Sequence, residues 1–202
     1  MLNIGILNFG FGNLKSIIQI LNNLTIDLNV YIINENFSNF EKINKVIIPG
    51  QGSPYNLIKV FLNFDFIKIR SLFNNIKILG ICVGKQIFYE NSFELNTKCL
   101  SYLKGFVRNF NFKNNKIPNI GWNKLYIIKK HKLLKGLKSG DLFYFSHGYY
   151  LVNNNYEFIY SFSKYNVFYP TIFIKNNLFL VQFHPEKSFK KGYKLFYNFC
   201  VW

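Results

Sequence analysis

Hydrophobic and polar residues follow two patterns along the 202-residue chain. In the first half, short continuous apolar runs alternate with segments whose apolar residues recur every three or four positions. The runs predict buried strands and the spaced segments predict helices. We expect strands at 2–7, 28–33, 45–48 and 76–81, and helices at 13–23, 55–74 and 83–91. This alternation predicts an α/β fold of three layers, with helices flanking a doubly wound, mostly parallel sheet.

The second half is rich in predicted strands, which are short and separated by turn residues. We expect strands at 107–112, 122–128, 142–147, 156–162, 168–174 and 178–183, and a closing helix at 193–201. No segment rich in proline, glycine or serine separates the two halves. The sequence therefore predicts one domain over residues 1–202, in which the strand-rich second half extends the central sheet.

The formal charge of +16 at first indicates a polyanionic partner, such as nucleic acid or a membrane surface. However, the basic residues are dispersed, and the longest runs are pairs such as Lys129 and Lys130. Asparagine and lysine, whose codons are rich in A and T, number 29 and 23, and alanine is absent. The simplest explanation is the base composition of the genome, so we expect no nucleic-acid partner.

The cysteines and the N-terminus indicate the environment of the protein. Cys82, Cys99 and Cys200 are odd in number and lack the spacing of metal ligands, which predicts neither a disulfide framework nor a metal site. The glycines at 10 and 12 lack the third glycine of a dinucleotide-binding loop, and we expect no cofactor. No signal-peptide pattern and no apolar stretch of about 20 residues is present. We therefore expect a cytoplasmic protein without a membrane partner.

A cysteine flanked by glycines is the first indication of catalytic chemistry. Cys82 lies in the sequence Gly80-Ile81-Cys82-Val83-Gly84, between an apolar run and a predicted helix. In the serine form of this arrangement, the nucleophile projects from a tight turn, and the start of the following helix stabilises negative charge. The alternative is a buried structural cysteine, the usual state of a free thiol.

His184 and Glu186 form the second candidate pair, directly after the last predicted strand. Residues two apart in an extended chain face the same side, and Pro185 favours extended geometry at His184. The two side chains therefore suit a general base and the carboxylate that orients it. A lone His-x-Glu is more often a surface pair, but the chain has only three histidines and nine acidic residues.

A glycine-rich turn at 49–52 follows the third predicted strand. Its glycines would allow backbone amides to approach a ligand, as in an oxyanion site, although an ordinary turn between strand and helix has the same composition. Of the remaining histidines, His131 lies in a basic segment expected to be solvated, and the role of His147 stays open. His147 lies among aromatic residues, as a packed structural histidine does.

Taken together, these residues resemble a class I glutamine amidotransferase. GICVGKQ at 80–86 and QFHPEKS at 182–188 are similar to the general motifs of that family. Within it, the chain resembles the glutaminase subunit of imidazole glycerol phosphate synthase, through NFGFGNLKS at 8–16, IPGQGSP at 48–54, IPNIGWN at 117–123 and YFSHGY at 144–149. The motifs occur in family order and span residues 8–188.

The resemblance implies how L-glutamine would be hydrolysed. Cys82 would attack the carboxamide carbon, His184 would act as base and then as acid, and Glu186 would orient the imidazole, through a γ-glutamyl thioester. The resemblance also implies that the oxyanion site and the glutamine-binding site involve Gly50, Gln51, Gly52, Val83 and Gln86.

The resemblance further implies a partner. The ammonia would pass to a (β/α)₈-barrel cyclase subunit of a heterodimer that serves histidine biosynthesis. The positions that match the partner interface and the ammonia passage are Asn13, Trp122, Tyr144 and Lys187. Lys187, together with Lys85, would contact an acidic surface of the cyclase.

The chain departs from the family pattern at Asn8, Gln51, Lys85, Asn119 and Gly148, where the family usually has Asp, Val, Met, His, and Ser or Thr. Lys85 is expected to point away from the nucleophile, although a nearby ammonium would favour the thiolate. Three alternatives stay open: a glutaminase that serves another synthase, a basic nucleic-acid-binding protein, and a decayed structural subunit. The complete set of Cys82, His184 and Glu186 argues against the last one.

Overall fold

The computed structural model describes residues 1–10, 13–63, 75–111, 116–152 and 155–202. Its first four strands are β1 (Leu2–Leu7), β2 (Leu28–Ile33), β3 (Lys45–Ile48) and β4 (Lys77–Ile81). Later strands are β5 (Asn91–Ser92), β6 (Thr97–Lys98), β7 (Phe106–Asn109), β8 (Asn119–Lys124), β9 (Tyr126–Ile127), β10 (Leu142–His147) and β11 (Tyr149–Val152). The last three are β12 (Ile159–Tyr165), β13 (Val167–Lys175) and β14 (Leu178–Val181).

The described residues also form four α-helices and five short 3₁₀ turns. The helices are α1 (Leu14–Asn22), α2 (Pro54–Phe61), α3 (Val83–Gln86) and α4 (Phe189–Val201). The 3₁₀ turns are Phe40–Lys42, Glu94–Asn96, Lys132–Leu134, Tyr156–Phe158 and Pro185–Lys187. None of the helices in the described ranges is long and apolar enough to cross a lipid bilayer.

Among the described residues, the central sheet has eight strands in the order β2-β1-β3-β4-β14-β13-β12-β9. The five strands from β2 to β14 are parallel, and β13, β12 and β9 continue the sheet in antiparallel pairs. The chain moves from β1 to β2 in one direction and from β3 to β4 in the other, so right-handed crossovers put α1 and α2 on opposite faces. The predicted α/β class with a mostly parallel sheet is confirmed.

Each of the first two helices buries the apolar residues that recur at helical spacing. In α1, Ile17 and Leu21 are buried, and the Asn13 side chain accepts a hydrogen bond from the Ser16 amide at the N-cap. In α2, Leu57 and Phe61 are buried, behind an N-cap at Ser53. The rest of the segment predicted as this helix, at 64–74, lies outside the described residues, as does Phe112 in the strand predicted at 107–112.

The structure corrects how the second half was expected to join the sheet. Only β9, β12, β13 and β14 extend it, whereas β10 pairs with β8, and β11-β7-β5-β6 form a separate sheet. The strand predicted at 122–128 is interrupted at Leu125. The Leu125 amide donates to the Asp141 carbonyl and the Leu125 carbonyl accepts from the Gly140 amide, so this residue belongs to neither β8 nor β9. The segment 156–162 begins as a 3₁₀ turn, and the closing helix starts earlier, at Phe189.

The helix predicted at 83–91 is also shorter than expected and ends at Gln86. The carbonyls of Ile87, Phe88 and Tyr89 accept backbone hydrogen bonds from residues 100, 103 and 101, respectively. Those carbonyls are therefore not available to continue the helix, and the chain turns away into β5.

The sheet order brings three segments together at one edge. Strands β3, β4 and β14 are parallel neighbours, with Ile48 opposite Gly80 and Val181 opposite Ile81. Their carboxyl ends therefore lie side by side. The residues that follow them contain the glycine-rich turn at 49–52, Cys82 and His184.

Candidate active site

Cys82 lies immediately after β4 in a strained backbone conformation. Its φ of 49° and ψ of −107° are outside the regions that L-residues usually occupy, a state that costs about 1–3 kcal/mol and is concentrated at functional sites. The Cys82 amide donates to the Val181 carbonyl of β14 at 2.8 Å, which anchors the turn to the sheet. The side chain is only 2% exposed. The structure therefore has the geometry predicted for a nucleophile turn.

Two glycines allow the turn at 49–52 to lie against Cys82. A Cβ atom on Gly50 would lie 2.6 Å from the Cys82 Cβ, and one on Gly84 would lie 2.3 Å from the Ile48 carbonyl oxygen. Real Cβ atoms essentially never approach so closely, so neither position accepts a side chain without movement of the backbone. Gly50 and Gly84 thus allow the turn at 49–52 and the turn that contains Cys82 to pack closely.

His184 and Glu186 approach Cys82 from the adjacent strand. His184 Nδ1 lies 2.7 Å from Glu186 Oε1, and both side chains are almost completely buried. Burial by itself lowers the pKa of His184, but the charge of the nearby Cys82 thiolate and the hydrogen-bonded Glu186 carboxylate together hold that pKa above its usual value. The site therefore combines a thiol, an imidazole and a carboxylate on neighbouring segments.

A cavity of about 350 Å³ opens beside Cys82. It is lined by Gly52, Cys82, Val83, Gln86, Glu94, Ile117, Pro118, Ser146, His147, Gly148 and Tyr149. Gly50 is buried against Cys82, and Gln51 is half-buried; neither is among the lining residues. Of the five residues expected around the substrate, Gly52, Val83 and Gln86 therefore contact the cavity directly.

Buried hydrogen-bond acceptors surround this cavity. Gln86 Nε2 donates to the Tyr149 carbonyl at 3.4 Å, and within the described part of the chain Gln86 Oε1 has no hydrogen-bond partner. His147 Nδ1 lies 2.7 Å from the same carbonyl, while its Nε2 is likewise unpartnered among the described residues. Burial is the largest of the effects that lower the pKa of His147, to about 3, so its Nε2 is an acceptor at neutral pH.

The sequence does not assign two of these residues to the site. It leaves the role of His147 open between a packed structural residue and a functional one, and in the structure His147 lines the cavity. Glu94 was not singled out, although burial raises the pKa of its carboxyl group and it lines the same cavity. Glu94 lies in none of the motifs, and the motif that contains His147 does not by itself show that this residue meets the cavity, because folding brings the segments together.

A family comparison decides the class of protein to which this geometry belongs. The model of the family "Glutamine amidotransferase class-I" matches residues 5–201. The chain belongs to the class-I glutamine amidotransferases.

Curated relatives cover nearly the whole length of this amidotransferase. It is 40% identical to "Imidazole glycerol phosphate synthase subunit HisH" of Caldanaerobacter subterraneus subsp. tengcongensis, over 97% of this chain and 96% of the relative. It is 35% identical to the protein of the same name from Methanocaldococcus jannaschii, over 97% of both chains.

Solved structures have the same fold at lower identity. "Structure of PurLQS from Thermotoga maritima" superimposes with a TM-score of 0.75 at 15% identity, over 98% of this chain and 97% of the other. "Crystal structure of glutamine amidotransferase" gives a TM-score of 0.71 at 16% identity, over 97% and 96% of the two chains. These likenesses support the fold.

Lys85 corrects two expectations about this amidotransferase. Its side chain is fully buried, so it does not point outward and cannot contribute to a surface that contacts a partner. Lys85 Nζ donates to the Pro170 carbonyl at 3.1 Å and to Gln182 Oε1 at 3.3 Å. The cation therefore lies inside the protein, beside the site.

Three of the four residues expected at the partner interface form one cluster at the surface, in which Tyr144 is half-buried. Trp122 and Tyr144 are opposite each other on β8 and β10, with ring centroids 5.9 Å apart, and Lys187 Nζ lies 5.4 Å from the Tyr144 ring centroid. Phe189, which sequence reasoning missed, stacks on Trp122 at 5.3 Å and is 80% exposed. We call these four residues the aromatic cluster.

The aromatic cluster is connected to the base by the backbone. The Tyr144 carbonyl accepts a hydrogen bond from the His184 amide at 2.8 Å, and the Tyr144 amide donates to Ser188 Oγ at 3.1 Å. Asn13, the fourth expected interface residue, is exposed at the N-cap of α1, which packs beside Pro185–Lys187.

Three further departures from the family pattern, at Asn119, Gly148 and Asn8, lie in different parts of the structure. Asn119 is buried, and its side chain donates to the Tyr169 hydroxyl and accepts from Asn123. Gly148 lines the cavity. The Asn8 side chain accepts a hydrogen bond from the Gly10 amide.

Proposed function

We propose that this chain is the glutamine-hydrolysing subunit of imidazole glycerol phosphate synthase. The observation on which this proposal rests most is the hydrogen-bonded pair of His184 and Glu186, which follows the strand next to Cys82, beside a cavity that Cys82 lines. The names of the relatives, which match along almost the entire chain, support the same assignment.

The cavity offers L-glutamine complementary groups at both ends. Glu94 and the unpartnered Gln86 Oε1 suit the α-ammonium group, since both are acceptors in a partly buried setting. The carboxamide would then extend toward Cys82. An oxyanion that forms there would lie between the turn at 49–52 and the start of α3 at Val83, where backbone amides can stabilise it.

The residues of the triad suit two-step amide hydrolysis. The Cys82 sulfur forms a bond with the carboxamide carbon, and the C–N bond breaks as His184 transfers its proton to the leaving nitrogen. Water, deprotonated by His184, then attacks the thioester carbon and releases glutamate and the free thiol. Glu186 holds the imidazole through Nδ1, so that Nε2 faces the reaction.

The ammonia would leave toward a cyclase subunit that covers the aromatic cluster. Trp122 is exposed and Tyr144 is half-buried next to His184, and Lys187 adds a positive charge there. A partner with an acidic patch around a pore would fit this surface. We further infer that residues 1–202 act as one domain and that the protein works in the cytoplasm, where histidine would be made.

Glutamate release, measured for the chain alone, with a histidine-pathway cyclase, and with the cyclase and its ribotide substrate, tests this proposal. We expect weak release from the chain alone and strong stimulation by the complete mixture. Cys82→Ala should lose activity under all conditions, because no other described thiol lines the cavity.

The outcomes separate the alternatives. Turnover that persists in Cys82→Ala would contradict the assignment of the nucleophile. Hydrolysis by the wild type without a complex or stimulation would instead favour a glutaminase that serves another synthase. A chain that binds nucleic acid with a steep dependence on salt, and that releases no glutamate, would favour the basic binding protein.

A further inference from the structure

Lys85 is a fully buried lysine on the first turn after the nucleophile. Burial of an ammonium group is unfavourable unless polar groups replace its water. The acceptors that surround Nζ are the Pro170 carbonyl at 3.1 Å and Gln182 Oε1 at 3.3 Å. Neither acceptor is charged, so neither neutralises the cation.

Gln182 connects this lysine to the catalytic sulfur. The Gln182 side chain is fully buried, and its Nε2 lies 3.8 Å from Cys82 Sγ, within hydrogen-bonding range for sulfur. An ammonium group can only donate hydrogen bonds, so Lys85 requires the amide oxygen on its side. The amide N–H groups therefore point toward the sulfur, which is the orientation that stabilises a thiolate.

We propose that Lys85 is a positioning residue that favours the thiolate form of Cys82. It does so in two ways: it orients the Gln182 amide toward the sulfur, and it holds a positive charge behind the nucleophile. The inference rests on the proposed function in one respect, namely that Cys82 is the nucleophile, and it adds a determinant of that residue's reactivity.

The other titratable groups near Lys85 and Cys82 are compatible with this positioning role. His184 follows the neighbouring strand β14, and its raised pKa reflects the charge of the Cys82 thiolate, so a protonated imidazole there favours the same thiolate. Burial keeps Tyr169 and His147 neutral, since it raises the pKa of the phenol and lowers that of the imidazole. Burial lowers the pKa of Lys85 to about 7, and the Cys82 charge acts in the opposite direction, as expected for two ions that stabilise each other.

Alkylation of the full chain by iodoacetamide, without glutamine, measures the thiolate directly. The rate at Cys82 is followed by mass spectrometry from about pH 5 to pH 10. We expect Lys85→Met to lower the alkylation rate at neutral pH roughly tenfold, because the thiolate loses the nearby charge and the oriented amide. The other thiols interfere little, because burial raises the pKa of Cys99 to about 11 and that of Cys200 to about 12.

Lys45→Met is the matched control. Lys45 is also buried and donates to two carbonyls, of Phe199 and Cys200, but it lies at the start of β3, at the opposite edge of the sheet from Cys82. Its replacement should leave the alkylation profile unchanged. Gln182→Met tests the amide separately and should shift the profile in the same direction as Lys85→Met.

An unchanged profile in folded Lys85→Met, as judged by circular dichroism, would overturn the proposal. An equal shift in Lys45→Met would do the same. If Lys85→Met does not fold, an unchanged profile in Gln182→Met overturns it. Alkylation requires no glutamine turnover, so failure of the proposed glutaminase and failure of this inference would be separate results.

Discussion

At the scale of single residues, the site depends on charge states that burial sets. His147 is the clearest example, because an imidazole that usually titrates near pH 6.5 is held neutral to about pH 3. Burial is the main cause, and the nearby charges of Lys85 and His184 act in the same direction. His147 can therefore present an unprotonated Nε2 to the cavity at any pH at which the enzyme would work.

This depressed pKa predicts a specific loss of stability in acid. Between about pH 6.5 and pH 3 the unfolded chain binds a proton at His147 that the folded chain does not, so stability falls as the pH falls, by about 1.4 kcal/mol per pH unit from this group. His147→Gln keeps a donor for the Tyr149 carbonyl and removes the titration. Urea unfolding at pH 6 and pH 4 should show a smaller difference in this variant, by about 2–3 kcal/mol.

His131→Gln provides the comparison for this experiment. His131 also has a lowered pKa, but its side chain is only partly buried, on a 3₁₀ turn. Its replacement should change the pH dependence much less. Equal pH dependence in the wild type and His147→Gln would show that His147 does not titrate differently in the two states.

At the scale of elements, the site depends on how closely two loops approach. The first turn of α3 packs against the end of β3, where a Cβ on Gly84 would lie 2.3 Å from the Ile48 oxygen and 2.8 Å from the Pro49 oxygen. Both obstacles are backbone atoms, so a side chain at 84 can be accommodated only if the turn at 49–52 moves away from Cys82.

Gly84→Ala should therefore reduce both stability and activity. Overpacking of this kind costs about 1–3 kcal/mol, and displacement of the turn should lower glutaminase kcat more than it changes KM. Thermal unfolding and glutamate release measure the two effects. Gly148→Ala is a suitable stability control, because the nearest atoms lie 3.6 Å and 3.8 Å from its Cβ, in ordinary contact.

The two variants should differ clearly in stability. A Gly84→Ala protein as stable as Gly148→Ala would mean that the loops can separate at little cost. In that case the glycines of the motif would have to be explained by the backbone conformation at Cys82 alone.

At the scale of the whole molecule, the proposed catalytic residues and the aromatic cluster lie at the same edge of the sheet. Trp122 is 43% exposed and stacks on Phe189, and Tyr144 bonds through its carbonyl to His184. Large aromatic residues of this type often dominate the binding energy of interfaces. The basic residues behind the net charge of +16 are instead spread over the chain. Lys187 is the basic residue of the aromatic cluster.

Trp122→Ala should weaken binding to the cyclase by about 2 kcal/mol, or roughly 30-fold, and reduce the stimulated release of glutamate. Titration calorimetry with the cyclase measures the first effect.

Tyr156→Ala is the control, since Tyr156 is an exposed aromatic residue that precedes β12. Strand β12 runs parallel to β4, so Tyr156 lies at the edge opposite Cys82. Equal affinity of the wild type and Trp122→Ala would argue against this surface as the interface.

Local features of the fold and site were predictable from the sequence alone. The apolar runs of β1, β3 and β4 and the spacing of α1 depend on neighbouring residues, and these elements agree with the predictions within about two residues. The cysteine turn was predictable for the same reason, because strand, glycines and nucleophile lie within a few positions.

Only the tertiary structure decided which of these segments meet. Cys82 and His184 are more than a hundred residues apart, and they become neighbours because β14 pairs with β4. Residues 100–103 end the helix predicted after Cys82, and packing against Gln182 turns Lys85 inward. Glu94 and His147 reach the cavity from separate segments. The periodicity of apolar residues indicates which side of an element is buried. The segment that covers this side depends on contacts between residues that are far apart in the sequence.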